Sequence, residues 1–257
     1  MSKRPRIIPI LLLHNGNLVK TVKFQYPNYI GDPINAVKIF NEKDVDELVL
    51  LDISCTIQNK EPDYDLLKRI STEAFMPLAY GGGITNIDQI KRILKMGYEK
   101  IILNTSVLTN PDLITEGARM FGSQSIVVSI DSKPNLFKSY STYIRSGTKN
   151  THMNPIEIAK MAVEKGAGEI IINSIHKDGT MLGYDLGIIQ AIAESVSVPV
   201  IACGGAGTVQ DLKMALDIGK ADAVSAGSMF IYYGKHKAVL ITFPDEEKLF
   251  TEGIYIK

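Results

Sequence analysis

Apolar residues in this chain arrive in short runs, separated by stretches whose apolar positions recur at three- and four-residue spacing. A strand buried on both faces reads as a continuous apolar run, whereas a surface helix shows one apolar stripe, so this alternation predicts βα units around a parallel sheet. The runs predict strands over 7–13, 47–53, 77–81, 100–104, 125–131, 169–174, 199–203 and 222–226. DPINAVKIFNEKD (32–44), NIDQIKRILKMG (86–97), NPIEIAKMAVEKG (154–166) and TVQDLKMALDIG (208–219) predict helices between them. Thr85 and Thr208 stand where N-caps are expected, and Gly97, Gly166 and Gly219 fall just past the last turns. The pattern predicts a single α/β domain over 1–257, a (βα)8 TIM barrel, with a doubly wound sheet as the alternative.

An internal repeat favours the barrel. At an offset near 122 residues, Glu47-Leu-Val-Leu-Leu-Asp-Ile matches Glu169-Ile-Ile-Ile-Asn-Ser-Ile, and Pro77-Leu-Ala-Tyr-Gly-Gly-Gly matches Pro199-Val-Ile-Ala-Cys-Gly-Gly. A two-fold half-barrel repeat closes naturally into eight units. At the head of each half the offset slips to 119, which sets Leu12 opposite Asp131. One half carries a carboxylate at the end of its first strand; the other carries an aliphatic side chain.

Two insertions interrupt the spacing, at 14–31 and 132–152, both after predicted strands. The second contains YSTYIRSGTKNTH, whose alternation suggests a hairpin. Both belong to the rim where barrels of this kind carry their chemistry. The tail beyond 234 has a β-like run, AVLITF, where a last helix would be expected, and the pattern does not place it.

Composition narrows the function classes. Lys plus Arg and Asp plus Glu both number 28, so no global charge points to nucleic acid or an anionic membrane. After the basic start MSKRPR the apolar run is too short for a signal peptide or a spanning helix. Cys55 and Cys203 fit no redox or metal spacing, and the histidines His14, His152, His176 and His236 show no ligand spacing. The expectation is a reduced, cytoplasmic protein without metal or cofactor.

Gly81-Gly82-Gly83-Ile84 and Gly204-Gly205-Ala206-Gly207 each follow a strand and precede a helix. Such loops let backbone N–H groups approach a phosphate, helped by the helix N-terminus, although glycines also serve tight βα turns. Asn104-Thr105-Ser106 and Ala226-Gly227-Ser228 follow on the next strands, and Asp178-Gly179-Thr180 can add donors. The phosphate-binding candidates are Gly82, Gly83, Asn104, Thr105, Asp178, Gly179, Gly204, Gly205, Gly227 and Ser228, implying a phosphorylated small molecule. No Walker-type lysine accompanies either loop. Asp131 is the leading acid/base candidate, since partial burial at a barrel mouth raises a carboxylate pKa. Asp52 shares that address but can equally cap a loop. Lys20 either reaches a phosphate or is a solvated lysine, and His176 either touches substrate or is incidental. At the opposite rim, Arg6, Glu47, Lys100 and Glu169 each precede an apolar strand and can form an ion-pair ring, which spacing alone reads as structural.

The segments RIIP, VDELVLLDI, YGGGI, LNTS, FGSQSIVVSID, GTKNT, GAGEIIINSIHKDGTMLGYD, IACGGAG and AGSMF resemble, over nearly the whole chain, the HisF family of imidazole glycerol phosphate synthase cyclase subunits. That resemblance implies a (βα)8 barrel paired with a HisH-like class I glutaminase. Ammonia would enter the barrel bottom and react at the mouth with a bisphosphorylated ribulose-type substrate. It also turns Arg6, Glu47, Lys100 and Glu169 into candidate ammonia-gate residues.

The chain departs from the family where its first catalytic aspartate is expected: ILLLHNG places Leu12 where the family reads CLDVKDG. VKTVKF, His152 and His176 depart as well. These features resemble a HisF-like branch found with surface-polysaccharide genes, thought to supply ammonia to an N-acetyl sugar amidotransferase that converts acetamido to acetamidino groups. The sequence reading is therefore an ammonia-accepting subunit of that kind, with histidine-pathway cyclization and a passive docking scaffold as alternatives.

Overall fold

The computed structural model describes residues 4–137 and 139–256; Lys3 of the basic start and Lys138 of the second insertion lie outside them. Eight parallel strands form the barrel: β1 (Ile7–His14), β2 (Leu48–Asp52), β3 (Leu78–Gly81), β4 (Lys100–Leu103), β5 (Ile126–Pro134), β6 (Glu169–Ser174), β7 (Val200–Cys203) and β8 (Ala223–Ala226). Each pairs with the next, and β8 pairs with β1 through Ile7 and Val224, closing the sheet without a free edge. The doubly wound alternative is excluded by that closure.

The apolar runs divide by strand periodicity. Ile8, Ile10, Val49, Ala79, Ile102, Val127, Ile171 and Ile201 point into the barrel and pack on one another. Their neighbours Ile7, Leu11, Leu48, Leu50, Tyr80, Val128 and Ile172 point outward beneath the helices. Burial on both faces is why these strands read as unbroken apolar segments.

The main helices are α1 (Pro33–Asn41), α2 (Tyr64–Glu73), α3 (Ile87–Lys95), α4 (Asp112–Phe121), α5 (Pro155–Glu164), α6 (Leu186–Ala193) and α7 (Val209–Asp217). Thr208 caps α7 in a reciprocal box with Asp211. The α3 cap is Asn86, whose side chain accepts from Gln89 N, and not Thr85. Thr85 instead donates to the Gln89 side chain, one residue before the cap.

Both insertions are hairpins. Asn17–Val22 pairs with Gln25–Gly31, and Val19 pairs with Leu12 of β1. Tyr140–Ile144 pairs with the extended end of β5 and with Lys149–Asn150, as the alternating Tyr and Thr positions predict. The tail run contributes only a two-residue strand, Ala238–Val239, before a short helix α8 (Glu246–Thr251). α8 and the residues after it pack at the end of the barrel where the strands begin, beside Arg4.

Candidate functional site

The C-terminal ends of the strands surround a cavity of about 470 Å³. Leu12 and Leu51, paired in register on β1 and β2, form an apolar wall of it. On the other side stands Asp131, buried on β5 and paired with Asn173 of β6. Asn104 Nδ2 donates to Asp131 Oδ2 at 3.1 Å and to Ser129 O at 2.9 Å, which fixes the carboxylate. Burial, reinforced by the charge of Asp178, raises the Asp131 pKa to about 7, against the opposing pull of Asn104 and Asn173.

Lys20 is buried rather than solvated and lines the cavity. The first hairpin folds inward and buries it, and Nζ donates to Ile10 O at 2.6 Å. Desolvation lowers its pKa to about 8, only partly offset by Asp178. Gly227 makes room for this side chain, because a Cβ there would stand 2.2 Å from Lys20 Nζ.

Asp178 departs from its expected role as an N–H donor. Its N–H is spent on Ser174 O at 2.9 Å, and its buried carboxylate accepts from Thr21 Oγ1 at 3.3 Å beside Lys20. Burial brings its pKa up to about 6, with Lys20 pulling the other way. The mouth thus gathers two reluctant carboxylates and a reluctant ammonium around a common cavity. The sequence reading had separated Lys20, Asp131 and Asp178; only the inward fold of the hairpin unites them.

The glycine loops after β3 and β7 lie on opposite sides of this mouth, each followed by a helix, with Asn104, Thr105, Gly227 and Ser228 on the adjoining strand ends. Gly82, at φ 132°, approaches Asp52 so closely that a Cβ would lie 2.5 Å from its carbonyl oxygen. Loop-to-loop packing therefore explains some of these glycines without any ligand. The turn at Arg145-Ser146 closes over the first cradle: Arg145 N donates to Thr105 Oγ1 at 3.0 Å and Ser146 Oγ to Ile53 O at 3.1 Å.

Two other candidates lose ground. Asp52 accepts from Ser54 N and Oγ at 2.8 and 2.6 Å, the geometry of a loop cap. His176 lies outside the cavity lining, 3.4 Å from Asp185, which also accepts from Tyr140 at 2.8 Å. Burial lowers the His176 pKa. Among the described residues, no group of three His, Cys, Asp or Glu side chains is placed to hold a metal ion, and no helix is long and apolar enough to cross a membrane.

At the other end of the barrel the four charged residues that precede the strands meet in one ring. Arg6 reaches Glu47 at 2.5 Å and Glu169 at 2.7 Å; Lys100 reaches the same two carboxylates at 2.8 and 3.0 Å. The side chains point inward because they continue the alternation of Ile8, Val49, Ile102 and Ile171. Cations and anions alternate around the ring, so each charge has two partners of opposite sign.

The profile of the family described as "Histidine biosynthesis protein" matches residues 6–237. "Putative imidazole glycerol phosphate synthase subunit HisF" of Leptospira interrogans is 50% identical over 245 residues, covering 95% of this chain and 96% of the relative. "Putative imidazole glycerol phosphate synthase subunit hisF2" of Pseudomonas aeruginosa is 48% identical, covering 96% and 98%. "Imidazole glycerol phosphate synthase subunit HisF" of Alkaliphilus metalliredigens is 40% identical, covering 88% and 90%.

Proposed function

Since this chain belongs to the histidine biosynthesis protein family, as a HisF-type barrel, we propose that it accepts ammonia from a HisH-like glutaminase and delivers it for amidation of an N-acetyl sugar, acetamido to acetamidino. One observation carries this reading: a complete charged ring at the end where the strands begin coexists with Leu12 at the mouth.

The ring is the entrance. Beyond it the inward layers are apolar, from Ile8 and Val49 to Ile171 and Ile201. Such an interior passes a small neutral molecule far more readily than an ion, whose burial without a partner costs many kcal/mol. Neutral ammonia therefore crosses, and ammonium and water are disfavoured.

At the mouth, Asp131 and Asp178 have pKa values of about 7 and 6 and can take up, near neutrality, the proton that ammonia releases on adding to an acceptor. Asp131 holds or returns that proton, and Lys20 balances the charge of Asp178. The cradles formed by Gly82, Gly83, Asn104 and Thr105 and by Gly179, Gly204, Gly205, Gly227 and Ser228 retain a phosphorylated ligand. Leu12 offers no proton on the β1 side. A reaction needing a second carboxylate there loses about 10²–10⁴-fold in rate.

The test follows the nitrogen. With amide-labelled glutamine, glutaminase, this barrel and the sugar amidotransferase together, the label should enter the acetamidino group. It should fail to do so when the barrel is omitted or when Lys100→Ala interrupts the ring. Undiminished labelling without the barrel contradicts the proposal.

A second reading, histidine-pathway cyclization, is favoured by the Lys20–Asp178 pair. Its titration near neutrality could supply the missing acid/base group. Ammonium-dependent turnover of the histidine-pathway bisphosphate separates the two.

A further inference from the structure

The tail that the hydrophobic pattern left unplaced packs against Arg4 and Asp46, which adjoin the ring residues Arg6 and Glu47 in sequence. Asp245 caps α8 by accepting from Lys248 N at 2.8 Å, and Leu249, Ile254 and Tyr255 are buried against the barrel. Lys213 of α7 holds Gly253 O at 3.3 Å. These contacts aim two aromatic rings, Phe250 and Tyr255, at the Arg4 guanidinium, which lies 5.3 and 5.2 Å from their centroids. Glu246 pairs with the same guanidinium.

Arg4 is joined to Arg6 through the buried Pro5, whose ring fixes its backbone φ and stiffens the link. Arg6 O accepts from Val224 N at 3.0 Å, and the following Ile7 N donates to Asp46 Oδ2 at 2.9 Å. Asp46 immediately precedes Glu47 and also lies beside the Tyr255 hydroxyl, one of the groups that raise the Tyr255 pKa after burial. The backbone segments carrying Arg6 and Glu47 are thus bound to each other by Asp46 and backed by the tail.

We propose that the C-terminal segment from Glu246 to Tyr255 is a clasp that positions the Arg6–Glu47 half of the ring, with Arg4, Asp46, Phe250 and Tyr255 as its positioning residues. This rests on the reading of the ring as the ammonia entrance. Arg6, held from behind, keeps both Glu47 and Glu169 in place, and Lys100 is left as the ring member on the side opposite the clasp. The clasp includes the helix that follows β8 and ties it to Arg4, ahead of β1.

The isolated barrel tests this by proton–nitrogen NMR of side chains. In the wild type, the Arg6 Nη–H protons should exchange slowly with water, because Nη1 and Nη2 are shared between two carboxylates. Tyr255→Ala should speed that exchange several-fold while amide signals of β5 and β6 stay in place. Arg4→Gln should act in the same direction more weakly, and Tyr255→Phe and Arg4→Lys should restore most of the protection. Unchanged Arg6 exchange in both Tyr255→Ala and Arg4→Gln overturns the clasp. If Tyr255→Ala does not fold, Arg4→Gln decides alone, since that side chain is 55% exposed and its loss empties no core. In complex with a HisH-like glutaminase, the loosened variants should leak several-fold more glutamine-derived ammonia into bulk solution. A ring that loosens without added leakage contradicts the entrance reading and leaves the clasp standing.

Discussion

Replacing Asp131 by asparagine should stabilise the barrel, by an amount that grows as pH rises above the ordinary carboxylate range. The folded pKa is about 7 against an ordinary 3.8, so the folded state holds the proton more tightly than the unfolded chain. Below about pH 4 both states are protonated and ionisation costs nothing. As pH rises through the window from about 4 to 7 stability is lost, and the three-unit difference amounts to roughly 4 kcal/mol by pH 8. An amide of the same shape avoids this cost and can still accept from Asn104. Asn173 Oδ1, buried without a partner among the described residues, can take the new N–H after its own amide turns. Allowing about 1 kcal/mol for imperfect rebonding leaves a net gain of about 3 kcal/mol. For a chain of this size that is a rise in Tm of roughly 6–12 °C at pH 8. Thermal melts of both proteins from pH 4.5 to 8.5 measure the gap, which should shrink toward zero at the acid end. A gap independent of pH, or a less stable variant at pH 8, refutes the argument that burial strains this carboxylate.

Three further outcomes follow from the same geometry. Lys20→Met removes the ammonium beside Asp178, so carbon NMR of the carboxylates should show the Asp178 pKa moving above about 6; a fall would contradict the pairing. Gly227→Ala drives a Cβ into Lys20 Nζ and should displace that side chain, costing roughly 1–3 kcal/mol in denaturant unfolding. Glu47→Gln leaves Arg6 and Lys100 with Glu169 as their common carboxylate partner. Because Arg6 is partly exposed, the expected cost is about 1–3 kcal/mol, below that of a fully buried pair, together with slower ammonia delivery.

The barrel was legible because its strands are buried on both faces and its helices carry strong caps, which leaves little room for another arrangement. Strand and helix ends differ from expectation by one to three residues at most positions, where cap chemistry decides, as at Asn86. The four ring residues were visible as charges before apolar runs, but their meeting depends on inward alternation across four strands, a property of closure. The burial of Lys20 was not legible because a lysine in a polar insertion ordinarily faces water. Its burial follows from the hairpin pairing with β1 and from the space at Gly227, neither of which its neighbours in sequence disclose. Asp178 was seen as a backbone donor for the same reason: its carboxylate matters only once Lys20 is inside. The tail escaped prediction because its role is long-range, with Phe250 and Tyr255 finding Arg4 some 250 positions away.

The central claim is that Leu12 converts a cyclase mouth into a delivery site while the entrance is kept. Steady-state turnover of the histidine-pathway bisphosphate, with saturating ammonium and no glutaminase, tests it most directly. The wild-type barrel should show no turnover near that of a true cyclase, and Leu12→Asp should raise whatever rate is present. Robust wild-type turnover would contradict the account.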